Sequence, residues 1–129
     1  IDSLYHVRDA KLSEYHPEAY AEAITAVCER VIPSTVLAAS TPKGSEIAPR
    51  VAASMGTGIV SNCCGLDLEG RRLVMIKETG GRTMQYGCLT FPQVATVKVD
   101  TFPTPEGVEG RKGTAAYWQY RDGNYKEIL

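Results

Sequence analysis

At 129 residues the chain is one domain's worth, enough to bury roughly two-thirds of the surface its unfolded form exposes. Hydrophobic residues at 43% and charged residues at 22% are ordinary for a globular protein, and 14 Lys and Arg against 15 Asp and Glu leave a net charge of −1, with no global pull toward nucleic acid or an anionic membrane. Apolar runs of about four residues fall far short of the ~20 that a membrane span requires, and no secretory or transit-like leader is visible, so a cytoplasmic location is expected.

Ser3–Val7 predicts a short strand and Asp9–Tyr15 a polar loop. Pro17 suits the first turn of a helix, where its missing N–H is no loss. Tyr20, Ile24, Val27 and Val31 recur at helical spacing, so an amphipathic helix is predicted over Pro17–Val31, closed off by Pro33. Thr35–Ala39 predicts a strand covered on both faces. Ser45 is the predicted N-cap of a second helix whose apolar stripe is Ile47, Val51 and Met55. Pro49 then falls in its first turn, and Gly56 sits where a C′ residue of positive φ belongs.

Past Gly58 the texture changes. Gly58–Leu66, Arg72–Lys77, Thr83–Thr90 and Val94–Val99 predict strands, separated by Asp67–Arg71, Thr79–Arg82 and Phe91–Pro92. Met84, Tyr86 and Cys88 alternate with polar or small residues, as do Ala95, Val97 and Val99, which is the period of half-buried antiparallel strands. The front half therefore predicts a β-α-β-α piece of a parallel sheet and the back half a β-meander. Thr101–Gly113, with its prolines and glycines, predicts a flexible connector. Thr114–Leu129 is expected to add one strand or hang free.

The best ligand candidate is the turn Ser40-Thr41-Pro42-Lys43-Gly44-Ser45. Hydroxyls, a lysine and the free N–H groups of a helix start are what a phosphate or carboxylate needs. The turn matches neither glycine-rich phosphate loop, and Glu46 puts a negative charge where an anion would sit. Two readings stay open: a plain β-α turn with a good cap, and an anion or nucleotide-phosphate site using Ser40, Thr41, Lys43, Gly44 and Ser45. Gly56-Thr57-Gly58 and Gly80-Gly81 are expected as tight turns. Cys28, Cys63, Cys64 and Cys88 form no C-x-x-C pair and stand away from His6 and His16, so buried reduced thiols are expected rather than a zinc site or disulfides. Tyr117, Trp118 and Tyr120 fit either a partner-facing patch or alternate packing on a terminal strand. No nucleophile, base and oxyanion stabiliser assemble in the sequence, so no autonomous catalysis is expected.

Pro17-Glu18-Ala19-Tyr20-Ala21-Glu22-Ala23-Ile24, then Ser45-Glu46-Ile47-Ala48-Pro49-Arg50-Val51-Ala52-Ala53, then Gly56-Thr57-Gly58-Ile59-Val60-Ser61, and later Gly80-Gly81 and Pro92-Gln93-Val94-Ala95-Thr96-Val97 form an ordered series. In that order and spacing, over about Tyr5 to Phe102, the chain resembles the N-terminal domain of the electron-transfer flavoprotein alpha subunit. The resemblance implies an α/β fold: a three-layer parallel sheet of the adenine-nucleotide-alpha-hydrolase-like type with an antiparallel β-meander in the C-terminal half. Residues 1–102 would be that domain and 103–129 a linker and tail. Two strand–helix units that open the family domain have no counterpart here, since Ser3–Val7 aligns with its third strand. Where the family has Asn after the Gly-Gly pair, Arg82 stands.

The family's FAD site lies mostly on a following domain that has no counterpart here. The resemblance therefore implies a structural and interface role without a cofactor in this chain, next to a beta-type subunit or a second copy. Neither nucleic acid, membrane nor metal is an expected partner. The family's beta subunit binds AMP at a loop corresponding to Ser40–Ser45, so a stand-alone AMP-binding domain is the alternative.

Overall fold

The computed structural model describes residues 1–128. They form two compact units, one made of Ile1–Val31 together with the chain from Thr104 onward, the other of Ile32–Pro103. The architecture is mixed α/β, with two helices and three three-stranded sheets among the described residues.

In the first unit, β1 (Ser3–Arg8) pairs in parallel with β8 (Thr114–Arg121), and β9 (Asn124–Ile128) pairs antiparallel with β8. The segment expected as one strand or a free tail thus forms a hairpin, turned by Asp122 and Gly123 at φ 50° and 83°. Leu129, its last residue, lies outside the described residues. Between β1 and α1 (Pro17–Val31) the loop makes a short 3-10 turn over Ala10–Leu12, capped by Asp9. Pro17 takes the first helical position, and the His16 carbonyl accepts from Tyr20 N at 3.0 Å, so His16 serves the helix start.

The helix buries the expected stripe only in part: Tyr20 is half-buried and Val27 packs against the core, but Ile24 and Val31 are 38% and 42% exposed. Ala23 and Ala26 pack instead on Trp118 and Tyr125, with Val7, Ala116 and Tyr120 around them. Small side chains let the helix lie close to the large rings of the sheet. Trp118 and Tyr120 pack inward, while Tyr117 points to the other face and is 49% exposed.

The second unit stacks a helix, a parallel sheet and an antiparallel sheet. The parallel sheet has the order β2 (Thr35–Ala39), β7 (Gln93–Val97), β3 (Ile59–Cys63). Here the expected topology is corrected. β7 does not continue a meander but inserts between two earlier strands, parallel to both. Its residues explain why: Val94 packs under α2 (Pro42–Ser54) with Ala48 and Ala52, while Ala95 packs on the other side with Cys63, Leu73 and Met75. A strand buried on both faces belongs in the middle of a parallel sheet. The meander holds for β4 (Gly65–Glu69), β5 (Arg72–Thr79) and β6 (Arg82–Tyr86), which form the antiparallel sheet.

The single strand expected over Gly58–Leu66 breaks at Cys64. Asn62 adopts φ 58°, the register shifts, and the chain leaves one sheet for the other, with Cys64 N donating to the Ile76 carbonyl at 2.8 Å. Gly80 and Gly81, at φ 58° and 75°, make the expected tight turn. Gln93 is fully buried and fastens the layers: its Oε1 accepts from Leu73 N at 2.7 Å, and its Nε2 donates to the Arg71 carbonyl at 3.0 Å and the Ser34 carbonyl at 3.4 Å.

Candidate functional site

Open α/β sheets bind ligands at the carboxyl ends of their strands. In the parallel sheet that edge gathers the turn after β2, the bulge at the end of β3 and the residues after β7. Ser40 N donates to the Val97 carbonyl at 2.8 Å, and Lys98 N donates to the Cys63 carbonyl at 2.8 Å. The candidate turn therefore lies on one side of β7, and Asn62, whose N–H donates to Thr96 Oγ1 at 2.8 Å, lies on the other. Asn62 and Lys98 are part of this edge that sequence reasoning missed. An Asn after a short apolar run, tolerant of positive φ, was the available signal.

The helix starts four residues before the expected place. Thr41, not Ser45, is the N-cap: its Oγ1 accepts from Gly44 N at 3.1 Å, and Pro42 occupies the first turn. Ser45 N already donates to the Thr41 carbonyl at 2.8 Å, inside the helix. The correction also moves Pro49, which stands inside the helix rather than in its first turn. At the other end the expected cap is present: Gly56 takes φ 64°, Gly56 N reaches the Ala53 carbonyl and Thr57 N the Ala52 carbonyl.

The five residues singled out in sequence are thus adjacent, but their donors are largely engaged. Gly44 N is held by Thr41, Ser45 N by the helix, and Pro42 has no N–H to offer. Gly44 is required by close packing rather than by a ligand: a Cβ there would stand 1.9 Å from the Ala39 carbonyl oxygen. Lys43 and Ser45 are exposed. The Ser40 Oγ is buried and without a hydrogen-bond partner. A phosphate cradle of backbone N–H groups at Gly44 and Ser45 is not what this turn presents.

The amino edge of the same sheet holds a second cluster that is invisible in sequence. Thr57 Oγ1, just after α2, donates to the Pro92 carbonyl at 2.8 Å and lies 2.6 Å from Thr90 Oγ1. Cys88 Sγ is 3.5 Å from Thr90 Oγ1 and 3.7 Å from Thr57 Oγ1. Burial alone raises the Cys88 thiol, but the Thr90 hydroxyl and N–H, the Thr57 hydroxyl and the Gly58 backbone together bring it below the ordinary thiol value. Burial, joined by Glu29, raises Cys28; burial also raises Cys63, against the opposing pull of Lys77.

The reactivity order follows, because the thiolate is the attacking species. Iodoacetamide at mildly alkaline pH is expected to alkylate Cys88 before Cys28 or Cys63. A Thr90→Val exchange should slow Cys88 several-fold, as read by peptide mass mapping. First labelling at Cys28 or Cys63 would contradict this. No base stands in this cluster, and both histidines belong to the other unit. All four cysteines are free thiols, and no group of three or more His, Cys, Asp or Glu that could hold a metal occurs among the described residues. No helix among them is long and apolar enough to cross a membrane.

The family model described as "Electron transfer flavoprotein domain" matches residues 1–122, and the chain belongs to that family. Among its relatives, the protein FixB of Azorhizobium caulinodans is 33% identical over 112 residues, covering 84% of this chain and 30% of the relative. The electron transfer flavoprotein subunit alpha of Thermoanaerobacterium thermosaccharolyticum is 35% identical over 74 residues, 57% of this chain and 22% of the relative. The lactate dehydrogenase (NAD(+),ferredoxin) subunit LctC of Acetobacterium woodii is 32% identical over 112 residues, 84% of this chain and 27% of the relative. The resemblance to alpha subunits read from sequence is borne out. The chain spans less than a third of the length of these relatives.

Proposed function

We propose that the chain is the structural and interface portion of an electron transfer flavoprotein alpha-type subunit, supporting flavin-mediated electron transfer without itself holding the flavin. The observation that carries this reading is the family match over residues 1–122, nearly the whole chain. A bound flavin supplies one- and two-electron transfer, and its tuning comes from the groups around it. None of this chain's residues is assigned to that step, and the part is a carrier's accessory rather than an enzyme. Its fold is proposed to be of the adenine-nucleotide-alpha-hydrolase-like type. Its partner is proposed to be a beta-type subunit or a second copy, in the cytoplasm; the naming of several relatives as subunits supports a partner.

One observation favours a second reading. The buried, unpartnered Ser40 Oγ at the carboxyl edge is a polar atom that an adenine nucleotide's phosphate would satisfy, with Thr41, Lys43, Gly44 and Ser45 beside it. Calorimetric titration of the purified chain with AMP and with FAD separates the two. The expected result is no saturable heat with either and no flavin absorbance after purification. Micromolar AMP binding that disappears in Lys43→Ala would favour the nucleotide reading, and FAD retained through purification would overturn the first.

A further inference from the structure

The sheet of the first unit is covered on one side only. Val7, Ala116, Trp118, Tyr120 and Tyr125 face α1. The register sets the alternate residues in rows on the opposite face: His6 beside Tyr117 beside Ile128, then Arg8 beside Gln119 beside Lys126, with Arg121 beside Asn124 beyond. Leu4 stands beside Ala115 at the other end. This face is open, with Leu4 57% and Tyr117 49% exposed.

Its chemistry is sorted along the strands. Leu4, Ala115, Tyr117 and Ile128 make an apolar end, and Arg8, Arg121 and Lys126 a cationic end. No outward position of the three strands carries a carboxylate. Asp122, in the hairpin turn, lies 3.7 Å from Lys126 Nζ with both side chains well exposed, and such a pair holds its partner weakly.

An exposed sheet face that carries large apolar side chains marks a candidate interaction surface. A cover of the right size is a helix, since the 15 residues of α1 lie on the three-stranded sheet from the other side. The charge pattern specifies its chemistry. We propose that the outer face of β1, β8 and β9 docks an acidic amphipathic helix of a partner protein, its apolar stripe over Leu4, Tyr117 and Ile128 and its carboxylates over Arg8, Arg121 and Lys126.

A single nucleic-acid strand fits less well, because cations are missing from the apolar half. The His6 and Tyr117 rings also lean on each other at 50° and 5.7 Å rather than lying open for bases. The helix of a second copy fits less well too. On α1 the exposed carboxylates Glu22 and Glu29 and the exposed apolar Ile24 and Val31 fall on opposite sides at ~100° per residue, so they do not form one docking face.

The test uses two synthetic helical peptides with the same leucine stripe, one with glutamates flanking it and one with lysines. Binding to the intact chain is followed by fluorescence anisotropy. The acidic peptide is expected to bind at least ~10-fold tighter than the basic one and to weaken as salt rises, because exposed charge pairs are screened. The triple exchange Arg8→Glu, Arg121→Glu, Lys126→Glu should reverse that preference, and Tyr117→Ser should weaken both peptides. All four positions are exposed or half-exposed at the surface; if the triple variant fails to fold by circular dichroism, Arg121→Glu alone should still weaken the acidic peptide several-fold. The proposal is overturned if the acidic peptide does not bind, or if both peptides bind equally. It is equally overturned if a single-stranded oligonucleotide outcompetes the acidic peptide, or if sedimentation shows the chain closing this face by self-association that the triple variant abolishes. The readout does not depend on flavin or AMP, so its failure leaves the functional reading above standing.

Discussion

Replacing Gly44 by alanine is expected to destabilise the protein by about 3 kcal/mol or more, the upper range for overpacking. The sign is opposite to the usual one, since alanine in a helix is ordinarily favoured over glycine by ~1 kcal/mol. Gly44 is the third residue of α2, and its added methyl would stand 1.9 Å from the Ala39 oxygen and 3.1 Å from the Ala39 carbonyl carbon. Both atoms belong to β2, whose end is tied to β7 through Ser40 N and the Val97 carbonyl. Relief therefore requires moving either the helix start or a strand of the parallel sheet. Urea unfolding of the parent and of Gly44→Ala measures the difference, and a variant as stable as the parent would refute the close approach.

The second large effect is expected at Gln93. Gln93→Leu keeps the volume roughly but leaves the Leu73 N–H and the Arg71 carbonyl without their partners. A buried polar group stripped of its partner costs ~1–3 kcal/mol, so about 3 kcal/mol is expected in total. In a chain of this size that lowers Tm by roughly 10 °C. Hydrogen exchange supplies a residue-level check: the Leu73 amide should lose protection far more than amides of β6. Unchanged exchange at Leu73 would mean that the bond to Gln93 Oε1 is not what shields it.

Local chemistry was readable wherever one residue decides one backbone conformation. Pro17 marked the first turn of α1, Gly56 the end of α2, and Gly80-Gly81 the turn of the β5–β6 hairpin. The start of α2 was misplaced because Pro42-Lys43-Gly44 looks like loop, although Thr41-Pro42 is itself a cap followed by a first-turn proline. The β8–β9 hairpin was missed for a similar reason. Asp122-Gly123 between alternating aromatic and polar residues is a hairpin signal, hidden by the polarity of a half-exposed strand.

What no local pattern carried was the choice of strand partner. β7 alternates like a half-buried antiparallel strand, and only the layers on both sides of Val94 and Ala95 make it central. Whether the N–H groups of the candidate turn are free depends on which hydroxyl caps the helix, and that is set by Thr41 rather than Ser45. The Thr57, Cys88 and Thr90 cluster needed folding to exist at all, because Thr57 and Cys88 are brought together across 31 positions of chain.

The late arrival of partners has a consequence for biosynthesis. During synthesis β1 emerges well before β8, its neighbour, because the whole second unit lies between them in sequence. β2 and β3 likewise wait for β7 to wedge between them. During that interval the nascent polypeptide carries unpaired strand edges, the situation in which pairing across long sequence separation slows folding.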